Sequence, residues 1–322
     1  MEKIFDVVAL GELLIDFTQN GRSEQGNPLF EANPGGAPCN VLAMLKKLGK
    51  SCAFIGKVGD DMFGHSLRDT VKSIGVNTEN LLLDSKIPTT LAFVQTFENG
   101  DRDFSFYRSP GADMMLSPDE IPEDMIKRAE ILHFGTLSMT HGLVRTATKK
   151  AVNIAKQNGA LISFDPKLRP PLWSSLDVAK AQIKWGLKQC DILKIADNEI
   201  EFLCGSSDFD AGAAYLKKHY PNIRLINITA GADGSYSYYE DKKVFVPSFK
   251  LGGTIETTGA GDTFCASVLA CVLEKGLDGL SEEDMTKMLR FANAAAYLVT
   301  TKKGAIRSMP ELKEIEAILS TH

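Results

Sequence analysis

The sequence lacks the charge and the apolar runs that would indicate a nucleic-acid-binding or membrane protein. Its 36 lysine and arginine residues are outnumbered by 41 acidic residues, which leaves a formal charge of -5 and no extended basic surface. No apolar run approaches the roughly 20 residues that a membrane-spanning helix requires. The chain opens directly into a strand-like run, without the regions of a signal peptide. We therefore expect a cytoplasmic protein with neither a nucleic-acid nor a membrane partner.

Several short motifs are also missing. None of the six cysteines forms a CxxC pair, so the sequence predicts reduced thiols rather than a zinc site or a disulfide framework. No GxxxxGK[ST] occurs, which excludes a P-loop kinase, and no GxGxxG follows a strand, which disfavours a dinucleotide dehydrogenase. The five histidines include no HExxH motif, so hydrolytic zinc chemistry has no support.

What is present is an alternation of short apolar runs with amphipathic helical patterns. Such alternation predicts an α/β fold, in which a Rossmann-like, mostly parallel sheet is flanked by helices. We expect one domain over 1–322, with helices in succession from 262 to 300. The predicted strands are 7–10, 52–55, 131–134, 161–164, 192–195 and 225–228, and the predicted helices are 38–48, 65–74, 142–158, 176–189 and 208–219.

One region interrupts the alternation. The β-rich runs 91–97 and 102–108 flank residues 98–101, whose Asn-Gly pair is a strong hairpin signal. The polar, glycine-containing stretch 16–35 can supply further strands. We expect a small inserted β-sheet, formed from about 12–36 and 89–113, that closes as a lid over a substrate. The alternatives are a surface hairpin without a role and a subunit contact.

The segment 256–264 is the most informative for chemistry. Its Gly259-Ala260-Gly261 turn leads into an apolar helical pattern, which would present free backbone N–H groups to an anion. Asp262 follows in the first turn, where a carboxylate could accept the proton of an attacking hydroxyl. The alternative is a plain helix start with Asp262 as a capping residue, which leaves the two glycines unexplained.

Two further turns could contact ligands. Gly35 and Gly36 precede a helical pattern and would let the backbone approach a ligand, while Asn40 could bond to a polyol. The turn that contains Thr229, Gly231 and Gly234 follows a predicted parallel strand and could hold nucleotide phosphates. Each motif taken alone also fits a plain tight turn, or a hairpin turn in the second case.

In their order and spacing, these segments resemble the ribokinase-like (phosphofructokinase-B type) carbohydrate kinase family. The likeness runs from Gly11 to Pro310, with the family's two signatures at 35–59 and 256–269. The segments that are similar to the fructokinase branch are Gly11-Glu12-Leu13-Leu14-Ile15-Asp16-Phe17, 34–41, 54–61, 106–114 and Asp165-Pro166-Lys167-Leu168-Arg169-Pro170.

The resemblance implies roles for particular residues, together with ATP and Mg²⁺ as cofactors and a homodimer formed through the lids. It implies that Asp262 is the catalytic base and that 259–261 form an anion hole. A site for a monovalent cation such as K⁺ is implied at Glu256 and Thr258. The implied sugar contacts are Asp16, Gly35, Gly36, Asn40, Phe106, Arg108 and Arg169. The implied nucleotide contacts are Lys194, Glu199 (which orders water around Mg²⁺), Thr229, Gly231, Gly234, Asn293, Ala296 and Gly304.

Three residues depart from the family pattern. Glu256 stands where the family usually has aspartate, which changes the reach of the cation ligand. Ala196 stands where an asparagine is usual, three residues before Glu199. Lys167 replaces the asparagine of Asp-Pro-Asn-Leu-Arg and adds a cation near the phosphates. None of the three removes the base or the anion hole.

We therefore expect an ATP-dependent kinase that phosphorylates a small sugar at a primary hydroxyl, with D-fructose as substrate and D-fructose 6-phosphate as product. The alternation of the strand around Phe106 places Phe104 and Phe106 on one face, which could cover the apolar side of a neutral sugar. The alternatives are a kinase for 2-keto-3-deoxygluconate or a ribosyl compound, and a non-catalytic fructokinase-like binding protein.

Overall fold

The computed structural model of the chain describes residues 2–96 and 102–322. The turn of the predicted hairpin, 98–101, lies outside the described residues. The strands are β1 Phe5–Leu10, β2 Leu14–Arg22, β3 Pro28–Gly35, β4 Cys52–Gly59, β5 Asn77–Asp84, β6 Leu91–Thr96, β7 Arg102–Tyr107, β8 Ala129–Gly135, β9 Leu161–Asp165, β10 Ile192–Ala196, β11 Leu225–Thr229, β12 Gly234–Tyr239 and β13 Lys242–Pro247. The helices are α1 Ala37–Lys47, α2 Met62–Ser73, α3 Glu123–Lys127, α4 Gly142–Gln157, α5 Leu176–Leu187, α6 Asp197–Cys204, α7 Phe209–His219, α8 Ala260–Lys275, α9 Glu282–Thr300 and α10 Leu312–Thr321.

A large, mostly parallel sheet organises the chain. Among the described residues it has nine strands, in the order β13-β12-β11-β10-β9-β8-β1-β4-β5. Every pairing from β11 to β5 is parallel, while β12 and β13 extend the sheet as antiparallel strands. The predicted α/β fold class with a mostly parallel sheet is confirmed.

The alternation of side chains along the strands builds two hydrophobic cores. In β1, Val7 and Ala9 belong to the core against α1, α8 and α9, whereas Val8 and Leu10 belong to the core on the opposite face. Successive side chains of a strand point to opposite faces, so an uninterrupted apolar run is what a strand covered on both sides requires. The carboxyl ends of these strands lead into the loops that form the site.

A second, smaller sheet lies beside the carboxyl ends. In the part of the chain that the structure describes, it contains four strands in the order β3-β2-β6-β7. The pairs β2/β3 and β6/β7 are antiparallel, and β2/β6 is parallel. The strands expected within 16–35 and the two runs of the predicted hairpin are therefore present.

All six predicted strands and all five predicted helices form at or within a few residues of their expected positions. The prediction missed β5, whose sequence Asn-Thr-Glu-Asn-Leu-Leu-Leu-Asp is too polar at its start to resemble a buried strand. It also did not predict β13, α3, α6 or α10. Over residues 2–96 and 102–322, we find no helix with the length and apolar character needed to span a bilayer.

Candidate active site

Two cavities meet at the N-terminus of α8. The first has a volume of about 310 Å³ and lies between the small sheet and α8, and the second has a volume of about 660 Å³ and lies between α8, α9 and the loop after β11. Thr257 and Gly261 line both cavities. Volumes of this size are typical of small-molecule sites. A ligand in one cavity would therefore face a ligand in the other across the turn 257–261.

The turn 257–261 presents the backbone N–H groups of Gly259 and Gly261 at the junction, whereas the N–H of Ala260 donates to the carbonyl of Thr257 at 3.3 Å. Gly259 has φ 81°, and a Cβ there would lie 2.9 Å from Cβ of Ala305, so only glycine fits both the backbone conformation and the space. No side chain caps the N-terminus of α8. The first N–H groups of a helix have no intrahelical partner, and the helix dipole adds a partial positive charge there. The turn is suited to bind an anion.

Asp262 lies in the first turn of α8 and is 5% exposed. Its Oδ2 accepts a hydrogen bond of 2.7 Å from Nδ2 of Asn40 on α1. Its Oδ1 lies 2.7 Å from Nζ of Lys167, which follows β9. Three separate elements therefore converge on one buried carboxylate, and this carboxylate faces the first cavity.

The buried charges around Asp262 form a network of alternating sign. Nζ of Lys167 also lies 3.0 Å from Oδ2 of Asp165, and Nζ of Lys194 lies 3.5 Å from its Oδ1. Burial favours the neutral form of Asp165, but Lys167 and Lys194 outweigh it and hold the pKa of Asp165 below its usual value. Burial likewise opposes the charge on Lys167, but Asp165 and Asp262 raise the pKa of Lys167 above its usual value. All these groups except Asp262 lie at the carboxyl ends of β9 and β10.

Asp16 on β2 contributes a second carboxylate to the first cavity. No hydrogen bond joins this carboxylate to another described residue. Burial, with a smaller contribution from Glu256, raises the pKa of Asp16 to about 7, and Arg169 opposes the shift. A Cβ at Gly35 would lie 2.3 Å from Oδ2 of Asp16, so the neighbouring strand needs glycine there to admit the carboxylate. A half-buried acceptor without a protein partner is suited to bind a ligand hydroxyl.

Glu12 is a site residue that sequence analysis did not single out. Its Oε1 accepts a hydrogen bond of 2.9 Å from the backbone N of Ala37, so it caps α1 and thereby positions Asn40. Burial raises the pKa of Glu12 to about 7. The signal for it was present, since Glu12 lies within one of the fructokinase-like segments.

Most of the predicted sugar contacts line the first cavity, but Arg108 does not. The Arg108 guanidinium is 2% exposed and donates to Oδ2 of Asp113 at 2.9 and 2.6 Å. It also donates to the hydroxyl of Thr140 and the carbonyl of Leu137. The family resemblance predicts that Arg108 contacts the substrate, whereas these donors hold the loop after β7 against the main sheet. The predicted contacts that line the cavity are Asp16, Gly36, Asn40, Phe106 and Arg169, and Gly35 adjoins it through Asp16.

In the wall of the first cavity, the carboxylate of Glu256 is hydrogen-bonded to Thr258 and Gly304. The hydroxyl of Thr258 donates to Oε1 of Glu256, and the backbone N of Gly304 donates to its Oε2 at 3.1 Å. Gly304 was expected near the nucleotide, but it lies on the side of the first cavity. Both carboxylate oxygens of Glu256 therefore already have protein partners.

The second cavity contains most of the predicted nucleotide contacts. Asn293 of α9 accepts from the hydroxyl of Ser235 and donates to the carbonyls of Val246 and Pro247, which ties α9 to the edge of the sheet. The loop 230–233 turns the chain from β11 into antiparallel β12 and also lines the cavity, so the hairpin is present and the contact with nucleotide phosphates stays a prediction. The predicted residues in the lining are Lys194, Thr229, Gly231, Gly234, Asn293 and Ala296, and apolar contacts come from Ala232, Phe249, Phe264 and Tyr297.

Glu199 lies outside the lining of both cavities and is 3% exposed. Its carboxylate accepts from the backbone N of Leu168 at 2.8 Å and of Ala196 at 2.9 Å. These bonds connect the loop that carries Lys167 to the start of α6. Within the described ranges 2–96 and 102–322, no three His, Cys, Asp or Glu side chains are grouped to hold a metal ion by themselves.

Comparison with known proteins identifies a matching family, a relative in sequence and two similar structures. The family model described as pfkB family carbohydrate kinase matches residues 5–312. The chain is 41% identical to fructokinase-2 of Solanum lycopersicum over 315 residues, which cover 97% of this chain and 95% of that protein. The structure of the fructokinase of Xylella fastidiosa with bound ATP has a TM-score of 0.89 and 28% identity, with 99% of each chain covered. A double mutant of the Vibrio cholerae O395 fructokinase, with fructose, ADP and potassium bound, has a TM-score of 0.87 and 27% identity, with 99% of this chain and 100% of that chain covered.

Proposed function

Since the chain belongs to the pfkB family of carbohydrate kinases, we propose that it transfers the γ-phosphoryl group of ATP to the primary hydroxyl of D-fructose and forms D-fructose 6-phosphate. One observation carries the proposal. Two cavities meet at an uncapped helix N-terminus, and a buried carboxylate lies on the side of the first cavity. This arrangement lets an attacking hydroxyl, a base and a phosphoryl group come together at one point.

The proposed sugar site is the first cavity. Asp262 accepts the proton of the attacking hydroxyl, and the N–H groups of Gly259 and Gly261 in the turn 259–261 stabilise the charge that develops on the phosphoryl oxygens. Asp16 and Asn40 bond to sugar hydroxyls, because both line this cavity and the carboxylate of Asp16 and Oδ1 of Asn40 accept no hydrogen bond from a described residue. Arg169, on the same lining, is placed to contact substrate or phosphate.

The proposed nucleotide site is the second cavity. Its apolar lining suits an adenine ring, and Lys194 with the loop 229–234 lies toward the junction where phosphates would sit. Mg²⁺ takes most of its ligands from phosphates and water, so one or two protein carboxylates suffice. Asp197 lines this cavity. The family resemblance implies a water-mediated contact from Glu199, which lies two residues further along α6 and outside the lining of the cavity. When bound, Mg²⁺ would neutralise part of the phosphate charge.

Several features of the surroundings belong to the same proposal. We infer that the small sheet acts as a lid, because β2 and β3 carry Asp16 and Gly35 over the first cavity. Exposed Leu29, Phe30 and Tyr107 on this sheet favour a homodimer formed through the lids. A cytoplasmic location is proposed, since the reaction consumes ATP and the six cysteines are free thiols.

The charges in the first cavity favour a neutral sugar over a sugar acid. Glu12, Asp16, Glu256 and Asp262 all line it. Lys167 is already paired with carboxylates, and the guanidinium of Arg108 is bound elsewhere. Arg169 is therefore the one cationic side chain among the described lining residues that has no carboxylate within ion-pair distance. A substrate carboxylate would meet more like charge than opposite charge here.

An ADP-release assay over a panel of sugars tests the proposal. We expect ADP release with fructose at a rate at least tenfold above the sugar-free rate, because water is a poorly positioned acceptor. Ketodeoxygluconate, ribose and glucose complete the panel. Sugar binding without ADP release would instead support the non-catalytic alternative, and preference for another sugar would keep the kinase but change its substrate.

The response of the rate to potassium tests whether Glu256, in the wall of the first cavity, binds a monovalent cation. Because each oxygen of Glu256 already accepts one hydrogen bond, from Thr258 or from Gly304, this carboxylate is a weaker cation ligand than the aspartate that is usual in the family. We therefore expect KCl to raise the wild-type rate by less than about twofold over tetramethylammonium chloride at equal ionic strength.

The side chain of the Glu256→Asp variant is shorter, so its carboxylate should lose one of these two hydrogen bonds. Potassium should then raise the rate of this variant several-fold. Melting temperatures in the two salts provide a second measurement, since a bound ion stabilises the folded state. A strong response in the wild type that Glu256→Asp leaves unchanged would contradict this interpretation.

A further inference from the structure

Lys167 brings an ammonium group to both the carboxylate of Asp262 and the N-terminus of α8. Its Nζ lies 2.7 Å from Oδ1 of Asp262 and 3.0 Å from Oδ2 of Asp165. A methyl group at Gly261 would lie 3.4 Å from the same nitrogen, so the ammonium stands beside the anion-binding turn. The side chain is 14% exposed and lines the first cavity. An ammonium here would touch a phosphoryl group that crosses the junction.

The backbone of Lys167 is in a conformation that lysine rarely adopts. Its φ of 54° lies in the left-handed region, and among the described non-glycine residues only Glu240, with φ 49°, also has a positive φ. Asparagine tolerates this conformation much better, and it is the residue that the family resemblance implies here. Residues held in unfavourable backbone regions cluster at functional sites. The chain therefore carries a lysine at a position where its backbone is not favoured.

The charge of Lys167 balances a buried cluster. Asp165 and Asp262 contribute two negative charges, and Lys167 and Lys194 contribute two positive ones. Burial lowers the pKa of His133, which packs against the cluster, to about 4, so this side chain adds no charge at neutral pH. Without Lys167, two buried carboxylates would face the incoming phosphates with one ammonium between them. Such a site would attract the phosphoryl group less strongly.

We propose that Lys167 is a catalytic residue that contacts the γ-phosphoryl group during its transfer, an inference that rests on the proposed function. In this step the sugar oxygen forms a bond to the γ-phosphorus, and the bond from phosphorus to the β,γ-bridging oxygen breaks. The electron pair of that bond leaves with ADP, and the hydroxyl proton passes to Oδ1 of Asp262. Once Oδ1 is protonated it no longer holds the ammonium, which pairs with the oxygens of the transferring group instead. Because the transition state is loose, a base weakened by a neighbouring cation costs little.

Two substitutions separate the charge of Lys167 from its backbone conformation. Lys167→Met keeps the length and removes the charge, and we expect kcat to fall on the order of 10²-fold, as on loss of one transition-state donor. The KM values for fructose and ATP should stay within about threefold, because the contact forms in the transition state. Lys167→Asn removes the same charge but relieves the backbone, so it should melt higher than Lys167→Met, yet lose about tenfold or more in kcat relative to the wild type.

Matched controls isolate these effects. Glu240→Asn relieves the other positive φ, at an exposed position. It should raise the melting temperature and leave kcat unchanged. Lys188→Met removes a charge from an exposed lysine and should change neither. If Lys167→Met and Lys167→Asn keep kcat within about threefold of the wild type, or lose activity only through KM, the inference is overturned.

Rescue by free amines gives a readout that a structural role would not produce. Lys167→Gly leaves space for a small amine, and n-propylammonium should restore kcat by about tenfold or more at saturating fructose and ATP. Tetramethylammonium, which has no N–H donor, should restore nothing. Equal effects of n-propylammonium and tetramethylammonium on kcat would contradict a direct contact with the phosphoryl group.

The wild-type enzyme distinguishes failure of this inference from failure of the proposed function. Absence of sugar-dependent ADP release in the wild type would overturn the proposed function, and the inference with it. An active wild type whose Lys167→Met variant is equally active would overturn only the inference.

Discussion

The Asp262→Asn variant should lose kcat by about 10²–10⁴-fold, the usual contribution of a general base. The amide keeps the shape of the carboxylate and can still accept the hydrogen bond from Asn40, but it cannot take the proton of the sugar hydroxyl. Binding of ATP and fructose, followed by calorimetry, should stay within about fivefold of the wild type, since neither ligand needs that proton transfer to bind.

Loss of the ion pair with Lys167 is the main side effect of this change. We therefore expect some loss of thermal stability, which differential scanning fluorimetry measures independently of rate. Asp177→Asn is a matched control, because Asp177 also lies in the first turn of a helix but is exposed and far from both cavities. A purified, folded Asp262→Asn protein that turns over within a few-fold of the wild type would show that another group takes the proton.

The Asp16→Ala variant should lose about 10²-fold in kcat/KM for fructose, while the KM for ATP stays within about threefold. A charged acceptor that bonds to one or two sugar hydroxyls contributes roughly 1.5–3 kcal/mol per bond, and Asp16 has no described hydrogen-bond partner that would compete. Because the carboxylate is not needed to complete a protein hydrogen bond, the melting temperature should hardly change. Equal damage to both KM values would indicate a structural role.

The pKa of Asp16 gives this assignment a second test. With a pKa of about 7, the carboxyl is largely protonated at pH 6 and largely ionised at pH 8. Ionised carboxylates accept stronger hydrogen bonds, so the KM for fructose should fall as the pH rises through 7. Asp16→Asn should remove most of this dependence, and Glu12, whose pKa is also raised to about 7, accounts for any remainder. Gln19→Ala, an exposed position of the same strand, should retain the full pH dependence.

Six parallel strands of the main sheet and five helices beside it could be predicted from sequence because each was either continuously apolar or periodic. Runs such as Cys52–Ile55 must be buried on both faces, which leaves few alternatives to a central strand. The strand β5 could not be predicted, since its exposed edge position tolerates the polar residues at its start.

The candidate site was predictable where residues follow a motif and not where they act through distant contacts. Asp262 and its glycines could be identified because a glycine-rich turn before a helix has a physical purpose. No periodicity shows that the Arg108 guanidinium turns toward Asp113, Thr140 and Leu137, because that choice depends on long-range packing. Nor does the sequence show that Lys167 reaches Asp262, 95 residues further along the chain.

The measurement that tests the central claim most directly is kcat/KM for fructose against ketodeoxygluconate, ribose and glucose, with ATP saturating and the product identified by phosphorus NMR. We predict that fructose exceeds each of the others by about tenfold or more and yields the 6-phosphate, because the first cavity binds hydroxyls with carboxylates and has little cationic charge for a sugar acid. A kcat/KM for any of the other three sugars that exceeds that of fructose by about tenfold would contradict the assignment of fructose as the substrate.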